Sequence, residues 1–224
     1  MLGKIRLASC LLVALVLIGN AQAQSQTQID FRPLTQEMLN NPDPEDWLMW
    51  RGGYNNWGYS PLDQINRENV DQLRLAWSWS FAPAALGSNG MQVEPTVYDG
   101  IMYIRHSDEK YSAHNATTGD LIWQYSRPLP TQIVAGDTRL TMHRGRGVFI
   151  YEDKLISHAT DGTLFALNPS TGALLWESIM TDFRSGAQPS GAPVAFGGSV
   201  VVPYNCTAWT AADPCHMSAY DADN

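Results

Sequence analysis

Few side chains in this sequence are spaced for chemistry. Five histidines, His106, His114, His143, His158 and His216, show no i,i+4 pair and no metal-ligand spacing. They are expected to be structural, with His143 and His158 the two worth testing. Of the three cysteines, Cys10 lies in the N-terminal leader and Cys206 and Cys215 remain. An even pair in an exported chain points to a disulfide. Two free thiols are the alternative, as is a metal site shared with His216, although no second ligand cluster accompanies it. No glycine-rich phosphate loop and no serine nucleophile elbow is present.

The leader sets the compartment. Lys4 and Arg6 precede the apolar run Leu11–Ile18, and Ala21-Gln22-Ala23 follows. That is a charged start, a stretch too short to span a bilayer and a small-residue cleavage site. Residues 1–23 therefore read as a secretory signal, cut after Ala23, for a periplasmic or secreted protein. Cys10 precedes the apolar run, so a lipid anchor is not expected. The net charge of −8 becomes more acidic once the leader, which holds bases and no acids, is removed. Such a balance argues against nucleic acid or an anionic membrane as a partner. It is compatible with docking a basic redox protein.

The elements that must position any site are repeats. Leu164–Trp176 reads LFALNPSTGALLW, and upstream YSAHNATTGDLIW ends at Trp123. The two align without a gap, placing Asn115 on Asn168, Gly119 on Gly172 and Trp123 on Trp176. The same offset carries Ala166 to Ala219, where AYDADN opens a third copy that Asn224 leaves in mid-repeat. Each copy holds an interior strand, a tight turn and a returning outer strand. Asn168 can bond its own backbone across the turn, Pro169 presets φ, and Gly172 can take the left-handed conformation. The Trp then sits at a fixed place on the outer strand. A four-stranded unit of about 50 residues cannot cover both of its faces, so a recurring Trp is a natural filler between neighbours.

Hydrophobic content of 44% with only 16% charge, 18 Gly and 13 Pro suits a turn-rich all-β chain. Candidate strands include LAWSWSF, EPTVYDGIMYIRH, LIWQY, RGVFIYEDKLISHA, TLFAL, LLWES and GAPVAFGGSVVVPY. Residues 24–45 form a polar arm with one short helical candidate at Thr35–Asn40. Residues 46–224 form the repeat region. Radial stacking of its sheets gives a β-propeller, with a solenoid as the alternative. Trp77 lies close to one period before Trp123 and is expected on an earlier outer strand, one without a Thr-Gly turn.

The segment DWLMWRGGYNNWGYSPLDQINRENVDQLRLAW (Asp46–Trp77) resembles the N-terminal signature of the pyrroloquinoline quinone (PQQ) dependent dehydrogenases. Its matching elements are Asp46-Trp47, Tyr59-Ser60, Ile65-Asn66, Asn69-Val70, Leu73 and Trp77. The Trp repeats are similar to that family's tryptophan-docking motifs, which pin eight blades together. The resemblance implies about three blades here. It also implies oxidation of an alcohol or aldose by PQQ on the propeller axis, usually with Ca²⁺, electrons leaving to a cytochrome or ubiquinone. The family's aspartate base and metal-binding asparagine belong to later blades, past Asn224. Residues 24–224 alone are expected to aggregate or to lack turnover.

Carried over residue by residue, the resemblance assigns Arg146 of GRGVFIY to a cofactor carboxylate, with Arg144 as rival, and a guanidinium fork suits that task. Ser190 of PSGAPV takes the position of a second cofactor contact. The family's cofactor-contacting glutamate position is Gln92, whose neutral amide could still bond PQQ without the charge, and Glu94 next to Pro95 is the neighbouring cofactor-binding candidate. The two adjacent cysteines of many alcohol dehydrogenases are replaced by Leu140 and Thr141. The calcium-binding glutamate falls near Thr207–Thr210, where none exists, although Asp213 could substitute. Cys206 and Cys215 resemble a pair that some members carry near the cofactor. Two rival readings remain: a propeller that has lost its cofactor, and a non-catalytic scaffold in outer-membrane protein assembly, whose members are typically lipoproteins.

Overall fold

Two-residue turns with left-handed backbone set the strand pattern. At Asp99-Gly100 both residues have positive φ (50° and 73°), and at Gly197-Gly198 both do again (56° and 80°). Such turns match the twist of the strands they join. EPTVYDGIMYIRH is therefore a hairpin rather than one strand, as are RGVFIYEDKLISHA and GAPVAFGGSVVVPY. The computed structural model describes residues 29–80, 92–106, 109–131, 146–185, 188–189, 191–205 and 216–223.

Three antiparallel sheets follow one another along the chain. The first runs β1 (Thr96–Tyr98), β2 (Ile101–Arg105), β3 (Lys110–Asn115) and β4 (Leu121–Ser126) in order. The second repeats this with β5 (Phe149–Tyr151), β6 (Lys154–His158), β7 (Thr163–Leu167) and β8 (Leu174–Ile179). The third has β10 (Val194–Phe196), β11 (Ser199–Asn205) and β12 (Met217–Asp221), with β9 (Gln188–Pro189) paired to β11. The repeat copies occupy equivalent places: Ala113 faces Trp123 across β3–β4, and Ala166 faces Trp176 across β7–β8. Both pairs carry a register shift at that point.

The turns behave as their residues dictate. The Asn115 side-chain oxygen accepts from the backbone N–H of Thr117 and Thr118 at 2.9 and 3.0 Å. Asn168 does the same for Ser170 and Thr171 at 2.9 and 3.1 Å. Gly119 (φ 78°) and Gly172 (φ 71°) close the two turns in the left-handed region.

Each turn receives a tryptophan from the preceding unit. Trp123 donates to the Pro169 carbonyl at 2.8 Å, and Trp77 donates to the Ala116 carbonyl at 3.1 Å. A Cβ on Gly172 or Gly119 would meet those rings at 2.5 or 2.6 Å, so only glycine admits the contact. Trp77 thus takes the expected docking position, but Leu75–Ser80 forms no strand. Its indole packs on the turn although, among the described residues, no strand pairs with that segment.

At the other edge the first strands are neighbours. Thr96 Oγ1 donates to the Val148 carbonyl at 2.9 Å, and β5 contacts β10. Docking along the last strands together with contact along the first strands is radial stacking. These are blades of a β-propeller. Between the first two, Tyr111 meets Phe165 edge-on with centroids 5.1 Å apart, and β7 is buried along its whole length.

The arm and the residues after it, as far as Tyr54, close over all three blades. Thr35 caps helix α1 (Gln36–Asn40) by accepting from Met38 N. Leu34 N donates to Glu152 O at 2.9 Å, Trp47 and Val97 exchange bonds at 2.8 and 2.9 Å, and Tyr54 Oη donates to Ala195 O at 2.5 Å. Leu34, Leu39 and Leu48 are buried in the shared core.

Candidate functional site

Three arms, residues 92–95, 146–148 and 191–193, lead into the first strands β1, β5 and β10, so they lie at one end of the blade stack. The backbones of the first two approach closely. Gly147 (φ 129°) lies so close to the Glu94 carbonyl that an added Cβ would stand 3.0 Å from it. Ser157 Oγ donates to the Gly147 carbonyl at 3.3 Å, and His158 Nε2 lies 2.6 Å from the Gly191 carbonyl. Arg146 is thereby brought beside the first arm, and the third arm is tied to the second blade through His158.

The Arg146 guanidinium stacks over the Trp50 ring at 5.7 Å and is half-buried. Among the described residues it makes no ion pair and no hydrogen bond, so its donors remain available to an incoming acceptor. Gln92 is exposed on the adjoining arm. A planar acid fits a guanidinium fork backed by an aromatic face. Glu94 is engaged differently: its Oε1 accepts from Trp47 Nε1 and, at 3.2 Å, from Arg51 N. It holds the turn that carries Trp50.

Ser190, Cys206 and Cys215 lie outside the described residues, as do His143, Arg144 and the Thr207–Thr210 position of a calcium ligand. Among the described residues no three of His, Cys, Asp and Glu converge on a metal position.

A buried polar assembly stands behind the arms, and sequence reasoning missed it. Arg105 and Glu109 form an ion pair at 2.6 Å, both almost wholly buried. Burial opposes the charge on Arg105, yet Glu109 and Tyr111 beside it hold its pKa above the ordinary value. Burial drives the Tyr111 phenol well up, with Arg105 pulling the other way, so Tyr111 is a donor. Thr160 and His158 join from the second blade. The local sign is the i,i+4 spacing of Arg105 and Glu109, and the stacking that buries the pair is not local.

Comparison with known proteins agrees with this architecture. The family model for the PQQ glucose/ethanol/alcohol dehydrogenase β-propeller domain matches residues 47–223. Quinoprotein alcohol dehydrogenase PedH of Pseudomonas putida is 31% identical over 194 residues, covering 86% of this chain and 30% of PedH. The dehydrogenase subunit of alcohol dehydrogenase (quinone) from Gluconobacter oxydans is 32% identical, over 98% of this chain and 28% of the subunit. Among solved structures, quinohemoprotein alcohol dehydrogenase ADHIIG from Pseudomonas putida HK5 superposes with a TM-score of 0.73 at 28% identity. That match covers 85% of this chain and 27% of ADHIIG. A europium-containing methanol dehydrogenase gives a TM-score of 0.71 at 27% identity, over 84% of this chain and 31% of its own. The chain thus spans less than a third of the length of these relatives.

Proposed function

Because the chain belongs to the PQQ glucose/ethanol/alcohol dehydrogenase β-propeller family, we propose that it supplies three adjacent blades of an exported quinoprotein dehydrogenase. Its substrate is an alcohol or an aldose. The cofactor is PQQ with a metal ion, calcium in the first instance, and the electron acceptor is a cytochrome c or ubiquinone. Export to the periplasm rests on the leader, with Lys4 and Arg6 ahead of an apolar run and Ala21-Gln22-Ala23.

One observation carries the cofactor assignment. Arg146 presents a half-buried guanidinium, backed by Trp50, where the first two arms close on each other. When bound, the quinone would supply the two-electron acceptor for the substrate carbinol. The chain's own task is to bind and orient it. The Arg146 fork would neutralise a carboxylate in a fixed plane, and Gln92 would offer a neutral amide from the adjoining arm. Gly147, without a side chain, lets those two arms close on each other. The residue that takes the substrate proton is not assigned to this chain.

Titration of the apo full-length protein with PQQ, followed by quinone absorbance, tests this reading. Saturable binding that weakens by tenfold or more in Arg146→Ala is expected, with Arg146→Lys recovering only part of it. An apo protein that shows no saturable binding would sink the reading and leave a propeller that has lost its cofactor.

A further inference from the structure

The Glu109 carboxylate is saturated with donors from two blades. Its Oε1 accepts from Arg105 Nη2 at 2.6 Å, Thr160 Oγ1 at 2.5 Å and Thr160 N at 3.1 Å, and its Oε2 accepts from Tyr111 Oη at 2.8 Å. Arg105 Nη1 in turn lies 3.5 Å from His158 Nδ1. His158, fully buried at the end of β6, directs Nε2 at the Gly191 carbonyl across 2.6 Å. The contacts therefore run from the first blade through the second to the head of the third.

We infer that His158 is a positioning residue: braced by the Glu109–Arg105 pair, it fixes the carbonyl of Gly191, and with it the arm 191–193 that leads into β10. This rests on the function proposed above insofar as that arm meets the cofactor.

The proton assignment follows from what each partner can do. A carbonyl only accepts, so Nε2 carries the hydrogen. A guanidinium only donates, so Nδ1 is bare. The two contacts demand the same neutral tautomer, and neither suits the other one. A buried ion pair is a poor way to hold blades together, since apolar packing of similar volume does so at least as well. Tyr111 and Phe165 already make such a contact alongside. What the polar assembly adds is direction, because the imidazole can point its N–H at only one place.

The test compares His158→Leu and His158→Gln with the wild type in the full-length apo protein. The glutamine amide can donate to Gly191 and accept from Arg105, whereas leucine keeps bulk and does neither. PQQ affinity is expected to fall about tenfold in His158→Leu, the size of one lost hydrogen bond. It is expected to return to within about threefold of wild type in His158→Gln. Equal affinity in all three proteins overturns the inference, as does a loss that glutamine does not repair. Should the leucine variant not fold, ¹⁵N-histidine spectra of the wild-type apo protein decide, with the His158 signal assigned by its loss in His158→Gln. A neutral Nε2–H imidazole supports the inference, and an Nδ1–H tautomer or an imidazolium overturns it. A wild-type protein that binds no PQQ defeats the proposed function, and the tautomer then decides the Gly191 contact on its own.

Discussion

The indole of Trp123 lies on the turn of the following blade, its Nε1 donating to the Pro169 carbonyl at 2.8 Å while its ring covers Gly172. Gly172 has φ of 71°, and a Cβ there would stand 2.5 Å from the ring. Gly172→Ala must therefore bear both a left-handed backbone and a clash. We expect a loss on the order of 3 kcal/mol. Gly100→Ala is the control, because it has a similar φ of 73° with nothing within 4 Å of the added carbon. Its cost is expected to be only about 1 kcal/mol. Urea unfolding of both variants would separate the clash from the backbone effect, and equal losses would mean that the ring simply moves away.

The same contact predicts an ordering at Trp123 itself. Trp123→Phe keeps most of the buried surface and leaves the Pro169 carbonyl without its donor, for a loss of about 1 kcal/mol. Trp123→Ala also opens a cavity between two blades, and about 4 kcal/mol is expected. If the phenylalanine and alanine variants unfold at the same urea concentration, the hydrogen bond rather than the packing would govern blade docking.

What the sequence shows most clearly is what is decided locally. Asn115, Asn168, Gly119 and Gly172 act within five residues of one another, so their turns were readable from spacing. The tryptophans were readable because they recur. The paired glycines and Asp99-Gly100 were also local, but long apolar runs obscured the hairpin turns inside them. Trp77 docks as its period predicts, while the strand expected around it needs a partner that its own residues do not supply. Arg146 was found through a family pattern and stands where the first two arms close on each other. Glu94, placed with Gln92 by the same pattern, proves to anchor the Trp47–Arg51 turn. The Glu109–Arg105–His158 contacts join three blades, and no window of sequence contains them.

A pH dependence is built into the first blade. His114 is buried, with Nδ1 donating to the Gly119 carbonyl at 3.2 Å and Nε2 facing Ser112 Oγ at 2.8 Å. Ser112 Oγ also lies 2.7 Å from His106 Nε2, and Trp79 packs edge-on against the His114 ring at 4.9 Å. Burial lowers the His114 pKa below 6.5, partly offset by the bond to Gly119. Below that value the unfolded chain binds a proton that the folded blade resists. Stability is accordingly full above about pH 6.5 and declines as pH falls toward the folded pKa. Denaturation midpoints at about pH 7.5 and about pH 5.5 should differ in the wild type and differ less in His114→Gln. Identical pH slopes would show that another group sets the dependence.

Glu94 ties the site to the arm, and its variants should separate geometry from charge. Its Oε1 accepts from Trp47 Nε1 and Arg51 N, the two ends of the turn on which Trp50 meets Arg146. Glu94→Ala leaves the indole N–H without an acceptor and frees that turn, with an expected loss of about 2 kcal/mol. Glu94→Gln keeps an oxygen at the same place, so less than about 1 kcal/mol is expected. Once Trp50 can drift from the guanidinium, Arg146 loses its backing. PQQ affinity should then fall in Glu94→Ala and stay near wild type in Glu94→Gln. Thermal unfolding and PQQ titration of the two variants check both halves of the prediction. A glutamine variant that loses affinity while keeping its thermal stability would instead mean that the carboxylate charge itself acts at the cofactor site, beyond its hold on Trp47.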